Sequence, residues 1–471
     1  MNSITHATEN RFTKIAIMIS LVLFVVSGSI LAQKSWTLED CINHALENNI
    51  MIKQSYLNVE TGAINQRESQ LSFLPSVNGS MSHSYGWGRS IDAALDTYVN
   101  HASQQSYFSL NSDITLFSGF QKVNTLKQKR LDYLVSKYNS DKIKNDISLA
   151  VAGSYLQILF SRELANNAER QFEVTRQQID RTAKLVAAGT LARGSLLEIQ
   201  AQGANEEVNL VQAKNQLNLA YLDLLQLLEL EAGSDFQVDI PKIGLDLQPE
   251  LLPIQYIYNT ALGAMPEIKS AELSFESTNK ALSVAKGYRS PTLAMSFGYG
   301  TNYSDNFVKS YIPTDPEYNI KIPFNEQFKD NQSTTLSIRL SIPIFNNWQI
   351  NSYVDRSKVN LLNADYNLQL AKNTLRKNVE TAYSDALAAY TSYSAREKSL
   401  SSLEESFKYT EQKFNVGMVN AIDYNVAKNQ MNKAESDLLS AKYDFIFKYK
   451  ILDFYLGKTL TLKDLEAATG K

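Results

Sequence analysis

The sequence predicts a mixed α and β membrane protein. A long α-helical barrel is continuous with a transmembrane β-barrel, with four strands per subunit, twelve in a trimer, and two structural repeats per chain. Three observations lead there: one sequence is written twice, two glycine- and proline-poor spans carry helical stripes, and four segments alternate apolar with polar residues.

The totals set the frame. Of 471 residues, 44% are hydrophobic, which is enough for packed structure. With 46 basic and 49 acidic residues the net charge is −3, so no basic face for nucleic acid is expected. Arg11 and Lys14 precede an apolar run from Ile15 to Val26, and Ser27-Gly28-Ser29 leads to Ala32. Positive charge, apolar core and small residues describe a secretory signal peptide over 1–32, the alternative being a membrane anchor. The single cysteine, Cys41, cannot form an intramolecular disulfide, and it lies too far beyond Ala32 for lipidation. With Ile42 and Leu46 nearby it reads as a small core residue.

The repeat comes next. Leu116-Phe117-Ser118-Gly119-Phe120-Gln121 matches Ile344-Phe345-Asn346-Asn347-Trp348-Gln349, 228 residues later. Gly189 and Gly417, Gln202 and Gln430, and Tyr221 and Tyr449 keep the offset of 228. Upstream, Leu74-Pro75-Ser76 matches Ser290-Pro291-Thr292 at an offset of 216, so the second copy carries 12 extra residues between Pro291 and Phe345. The expected divisions are a first repeat at 33–232, a linker at 233–253, a second repeat at 254–457 and a tail at 458–471.

Helices follow from the breakers. No proline occurs from Ser76 to Ile240 or from Ile344 to the end, and Gly153 is the only glycine between Phe120 and Ala188. Leu164, Ala168, Phe172, Thr175, Ile179, Ala183 and Val186 form one stripe; Val379, Tyr383, Ala386, Tyr390, Tyr393, Leu400, Leu403, Phe407 and Phe414 form another. Each long helix is expected to run from just after a strand to Gly189 or Gly417. Shorter helices return from about Ser195 to Leu230 and from about Asp423 to Leu456. Others, about Leu38 to Phe73 and Ile254 to Tyr288, lead into the odd-numbered strands.

Strands follow from a period of two. Val77 to Trp87, Tyr107 to Phe117, Thr292 to Tyr303 and Thr335 to Phe345 each put apolar residues on one face and small polar residues on the other. Asp113 and Arg339 both fall on the polar side, which the reading places in a barrel lumen, because arginine facing lipid costs roughly 2–4 kcal/mol at midplane. A soluble sandwich with one wet face would alternate in the same way. Four strands cannot close a membrane barrel, and open edges cannot face lipid. The chain must pool strands with copies of itself; three copies give twelve strands. Both glycine turns lie equally far from the strands and so form one rim, with 233–253 and 457–471 as a mid-height collar.

With these elements in place a resemblance emerges. Trp36-Thr37-Leu38-Glu39-Asp40-Cys41-Ile42 with Ala45-Leu46-Glu47-Asn48-Asn49 resembles the N-terminal signature of TolC-type outer membrane efflux proteins, in particular those of Bacteroidetes-like bacteria. Tyr85-Gly86-Trp87-Gly88-Arg89-Ser90-Ile91-Asp92 looks like the same subfamily, and Lys413-Phe414-Asn415-Val416-Gly417 through Asp423 is similar to the helix-tip motif. The resemblance implies a homotrimer in outer-membrane lipid with its helical barrel in the periplasm. It further implies docking through a periplasmic adaptor protein to an inner-membrane pump, and outward passage of small molecules or polypeptides. It also implies an entrance closed at rest by an acidic ring and polar ties. Asp423 matches one acidic position. Val419 stands where an arginine is common, Val426 and Ser195 replace acids, and Phe414 stands where a tyrosine is common, so the ties here are expected to be built differently.

Blander roles stand beside these. Asp423 would also serve as the N-cap of the returning helix, and Gly189 and Gly417 as turn residues. Tyr85, Trp87, Tyr299 and Trp348 read as interfacial anchors or as packing residues. His6, His44, His83 and His101 are scattered, and no nucleophile–base pairing can be named, so neither enzyme activity, cofactor nor metal is expected. The rival function is a periplasmic coiled-coil adaptor or structural envelope protein, which would leave the four alternating segments unexplained.

Overall fold

The computed structural model describes residues 35–92, 97–231, 233, 236–241 and 252–463. The expected signal peptide and most of the collar segments lie outside them. The elements in order are α1 (Leu38–Asn48), α2 (Ile50–Leu71), β1 (Ser76–Asp92), β2 (Thr97–Ser118), α3 (Gln121–Ala187), α4 (Arg193–Leu227), α5 (Ile254–Ala264), α6 (Pro266–Gly287), β3 (Thr292–Ser304), α7 (Phe324–Asp330), β4 (Ser333–Ser341), α8 (Gln349–Asn415) and α9 (Ala421–Tyr455). Lengths recur in pairs: α1 and α5 have 11 residues, α2 and α6 have 22, α3 and α8 have 67, α4 and α9 have 35. At 1.5 Å per residue α3 and α8 are each about 100 Å long. Every stripe position expected on them is buried or half-buried.

Two expectations about the helices need correction. The helices leading into β1 and β3 are each broken, at Asn49 and at Met265. The Asn49 side chain accepts hydrogen bonds from the backbone N–H groups of Met51 (2.9 Å) and Ile52 (3.4 Å), so it starts a new helix. In the second copy Pro266 does the same work at the first helical position, where its missing N–H costs nothing. Two different residue types produce one break at equivalent places.

By contact, the chain divides into two units, each assembled from separate stretches of sequence. The first contains 35–53, 143–264 and 377–463; the second contains 54–142 and 265–376. In the first, Cys41, Ile52, Val151, Tyr155, Ile158, Leu224 and Leu228 form the core, with Phe236, Val238 and Leu462 packed on it. Burial pushes the Cys41 thiol up to about 12, so it is an inert core residue as expected. The Tyr155 hydroxyl donates to the backbone oxygens of Trp36 (3.2 Å) and Asp239 (2.7 Å), tying the segment before α1 to the segment after α4.

The second unit holds an antiparallel sheet in the order β1-β2-β3-β4. Register places Met81 beside Phe108 and Phe108 beside Thr301; Leu110 pairs with Tyr299, Ile114 with Met295, and Met295 with Ile338. The alternating apolar positions of the four strands therefore share one face. The β1–β2 hairpin is longer than expected: His101, outside the two expected strand ranges, lies in β2 and pairs with Gly88 of β1. In contrast β4 stops at Ser341 rather than Phe345, because Pro343 has no N–H to donate to a ladder. The β3–β4 connection, 305–332, carries α7.

Where each long helix begins, the chain makes the same unusual turn. Gly119 and Phe120 have φ of 60° and 61°; Asn347 and Trp348 have 51° and 65°. A bulky residue in this left-handed region is strained. Gly119 is required: a Cβ there would lie 2.5 Å from the Gly287 carbonyl oxygen.

Candidate functional site

The two hairpin turns between long and returning helices belong to the first unit. Gly189 and Gly417 both have φ of 76°. The Gly189 N–H donates to the Val186 carbonyl (2.9 Å) and Thr190 N–H to Leu185 (3.0 Å); Gly417 N–H donates to Phe414 (3.0 Å) and Met418 N–H to Lys413 (2.8 Å). This is the Schellman arrangement in both copies, and it needs a residue tolerant of left-handed φ at the glycine. Space is not the reason, since an added Cβ at either would touch nothing.

Beyond the turns the copies differ. Asn420 caps α9: its side-chain oxygen accepts from the Asp423 N–H at 2.8 Å. Asp423 is thus the third residue of α9, not its cap, and its exposed carboxylate is free of capping duty. There it complements the positive end of the helix dipole. The equivalent of Asn420 in the first copy is Ala192, which offers no side-chain cap, and Ser195 stands at the position of Asp423. Asn420→Ala should therefore cost about 1 kcal/mol at the start of α9, read as faster hydrogen exchange over 421–424; unchanged exchange would mean that packing, not the cap, holds this turn.

Phe414 is held by stacking on Tyr424, with ring centroids 4.7 Å apart, and Phe407 packs on the same tyrosine at 5.4 Å. Burial raises the Tyr424 hydroxyl to about 12, so it stays neutral. Val419 is half-buried, whereas Val416, Met418, Ile422 and Val426 are exposed.

One turn further from the tip lies a group that periodicity did not reveal. Lys428 on α9 is buried and donates to the Thr175 hydroxyl of α3 and to Glu206 Oε1 of α4, at 3.3 Å in the latter case. Glu206 Oε1 also accepts from Gln202 (2.9 Å), which in turn bonds Asn429 at 2.8 Å. The Lys428 and Glu206 side chains are 6% and 5% exposed, while Glu206 Oε2 finds no partner. An ion pair this dry ties α9 to α4, and the Thr175 bond adds α3. Its signal in the sequence was a lysine between Tyr424 and Asn432 on one i+4 row.

In the second unit the sheet's polar face carries Asp113 and Arg339. Asp113 accepts from the Ser296 hydroxyl at 2.7 Å. In register Arg339 lies beside Ala294, two residues along β3 from Ser296. Both charges sit on the side away from Met295 and Ile338. Among the described residues no group of His, Cys, Asp or Glu could hold a metal ion, and no helix is long and apolar enough to cross a membrane.

Comparison with known proteins gives this geometry a setting. A family profile described as "Outer membrane efflux protein" matches residues 41–229 and 257–458. The outer membrane protein TolC of Escherichia coli K12 is 22% identical over 86% of this chain and 78% of its own length. TolC of Vibrio cholerae is 20% identical over 95% of this chain and 96% of its own. The CmeC outer membrane channel of Campylobacter jejuni superposes with a TM-score of 0.75 at 17% identity, covering 92% of this chain and 89% of that one. With the family match spanning most of its length, the chain belongs to the outer membrane efflux protein family.

Proposed function

We propose that this outer-membrane efflux channel works as a homotrimeric exit duct. Its three four-stranded sheets join edge to edge into a twelve-stranded barrel, and its helices form a tunnel through the periplasm. A periplasmic adaptor and an inner-membrane pump feed it, and small molecules or polypeptides pass outward without chemistry. The observation that carries this is the sheet itself. One face is apolar across all four strands, the other is small and polar with Asp113 and Arg339, and β1 and β4 each end the sheet with an edge to be paired. Exposed Phe117, Phe120, Phe345 and Trp348 at one end of the apolar face suit a membrane–water boundary. The two family-matched stretches and the recurring element lengths support two copies of one unit, 33–232 and 254–457, with 233–253 as linker and 458–471 as tail. Light scattering of the detergent-extracted protein should give three chains per particle, and deletion of the gene should raise accumulation of a toxic compound or retain a secreted protein. A stable monomer with full β-structure would rule the trimer out.

The same reading puts the entrance at the turns. Three Asp423 carboxylates around the axis would attract cations at a constriction, backed by Phe414 on Tyr424 and by the buried Lys428–Glu206 pair. Because Asn420 holds the cap, Asp423→Ala and Asp423→Asn both report on charge. Each should reduce cation preference and block by trivalent cations in planar-bilayer recordings. Val419→Arg, beside it, should lower conductance by pairing with Asp423. If all three variants conduct like the parent, the entrance is closed by packing alone.

A further inference from the structure

We propose that α7, on the β3–β4 connection, is an interfacial helix that lies in the acyl–headgroup boundary of the membrane's outer leaflet and fixes the depth of the barrel there. The inference rests on the barrel reading above. Four observations carry it.

The first is the side of the sheet. Phe108 shares its face with Met81 and Thr301, and Tyr303 follows Thr301 on that face. α7 packs there: Phe328 lies 5.3 Å from the Phe108 ring, and Phe324 lies 6.2 Å from Phe108 and 5.4 Å from Tyr303. A connection folded into the lumen would cover the side of Asp113 and Arg339; this one covers the opposite side.

The second is rigidity. The Gln327 side chain is buried, with Nε2 donating to the carbonyls of Ser304 (2.9 Å) and Ile322 (2.8 Å) and Oε1 accepting from the Ser304 N–H (2.9 Å). The Thr301 hydroxyl donates to the Phe328 carbonyl (2.8 Å), and Asn331 Nδ2 to that of Asn302 (2.8 Å). All backbone partners on β3 are near its far end, so α7 is built onto the strand and is not a loose loop.

The third is amphipathicity after packing. Phe324 and Phe328 remain 47% and 37% exposed although they already touch the sheet. Glu326 and Asp330 fall on the other side of the helix and are exposed as well. A short helix with aromatic residues on one side and the charged Glu326, Lys329 and Asp330 away from them suits the plane of a membrane surface.

The fourth is level. From Thr292, where β3 begins, to Thr301 is nine steps, or ~30 Å of strand. At the ~40° tilt of membrane barrel strands this rises ~23 Å, close to the ~25 Å height of their apolar band. Phe117, Phe120, Phe345 and Trp348 mark the near end of that band, and α7 stands where it must finish. Next to Phe328, an open groove of about 480 Å³ runs between Met81, Phe108, Leu110 and Tyr299. Gly79 also lines it, and an added Cβ there would meet nothing. An acyl chain lying along the sheet beneath α7 fills such a groove, making the lipid contact continuous from band to helix.

The test is collision accessibility of spin labels in proteoliposomes holding the full trimer. Labels are placed by Phe324→Cys, Phe328→Cys, Glu326→Cys and Leu336→Cys; the native Cys41 is buried and takes no label. Leu336 is the control on the exposed apolar face of β4. The expected result is oxygen-rich, nickel-chelate-poor collisions at 336, and at 324 and 328 an oxygen-to-nickel ratio several-fold above that at 326. Two aromatic sites are used so that loss of one ring cannot decide the matter. Lipid-like behaviour at 336 with water-like behaviour at 324 and 328 overturns the inference and leaves the barrel intact. Labels at 324 and 328 shielded from both probes overturn it too, since a neighbouring protein then covers α7. Water-like behaviour at 336 itself overturns the barrel reading and the inference with it.

Discussion

Lys428→Met should weaken the region behind the helix turns by about 3–5 kcal/mol, the usual cost of removing one member of a buried pair. The physical cause is specific. Glu206 Oε2 is already without a partner, and Oε1 relies on Lys428 and Gln202. Methionine fills much of the lysine's volume but leaves a carboxylate in a dry site with one hydrogen bond. Thr175 loses its partner as well. The chain's response is to let water in, which means parting α3, α4 and α9. Hydrogen exchange over 199–206 and 424–432 should accelerate, and open probability in planar bilayers should rise. The companion experiment is Lys428→Met with Glu206→Leu, which removes both charges and should restore most of the protection. A single variant with parental exchange would mean that Glu206 is already solvated and that the pair holds nothing shut.

Ile338→Arg should abolish, or nearly abolish, heat-stable trimers in the outer membrane. Ile338 lies between Leu336 and Leu340 on the apolar face and pairs with Met295. An arginine there costs roughly 2–4 kcal/mol per subunit near midplane, and a trimer meets that cost three times. The next residue, Arg339, is already an arginine on the other face, so the backbone and neighbourhood tolerate the side chain itself. Ser337→Arg, also on the polar face, is the matched control and should assemble normally. Resistance of the trimer band to heating in detergent gel electrophoresis reads both. Normal trimers from Ile338→Arg would show that this face does not meet lipid.

These cases also show what a sequence discloses. The long helices were legible because breakers are absent over long spans and the stripes repeat; their ends were legible because Gly417 and Gly189 must adopt left-handed φ. Strand faces were legible because period two admits only two registers. What periodicity does not carry is decided by single side chains acting on the backbone or across large separations. Asn49 ends one helix by capping the next, which composition cannot distinguish from an asparagine on a helix surface. Asn420 three residues before Asp423 is a readable capping pattern, but an acid in the first turn of a helix reads equally well as its cap. Pro343 trimmed β4 although the alternation continued past it. Lys428 and Glu206 are 222 residues apart, and no periodicity within either helix indicates that they meet. The role of α7 was hidden for a similar reason: a seven-residue helix in an insertion gains its meaning only from the strand it lies on.

The unequal caps of the two turns have a consequence for symmetry. Each chain contributes two hairpins of the same backbone design, so a trimer would present six nearly equivalent tips around its entrance. Only the three led by Asn420 have a side chain fastening the first turn of the returning helix; the three led by Ala192 do not. Backbone geometry in such a trimer would thus be close to sixfold, while local stiffness would be threefold. Thermal motion at the rim would alternate around the circle, firm tip beside frayed tip. An iris whose blades alternate in this way widens by displacing every second blade first, so its earliest open shape is a triangle rather than a hexagon.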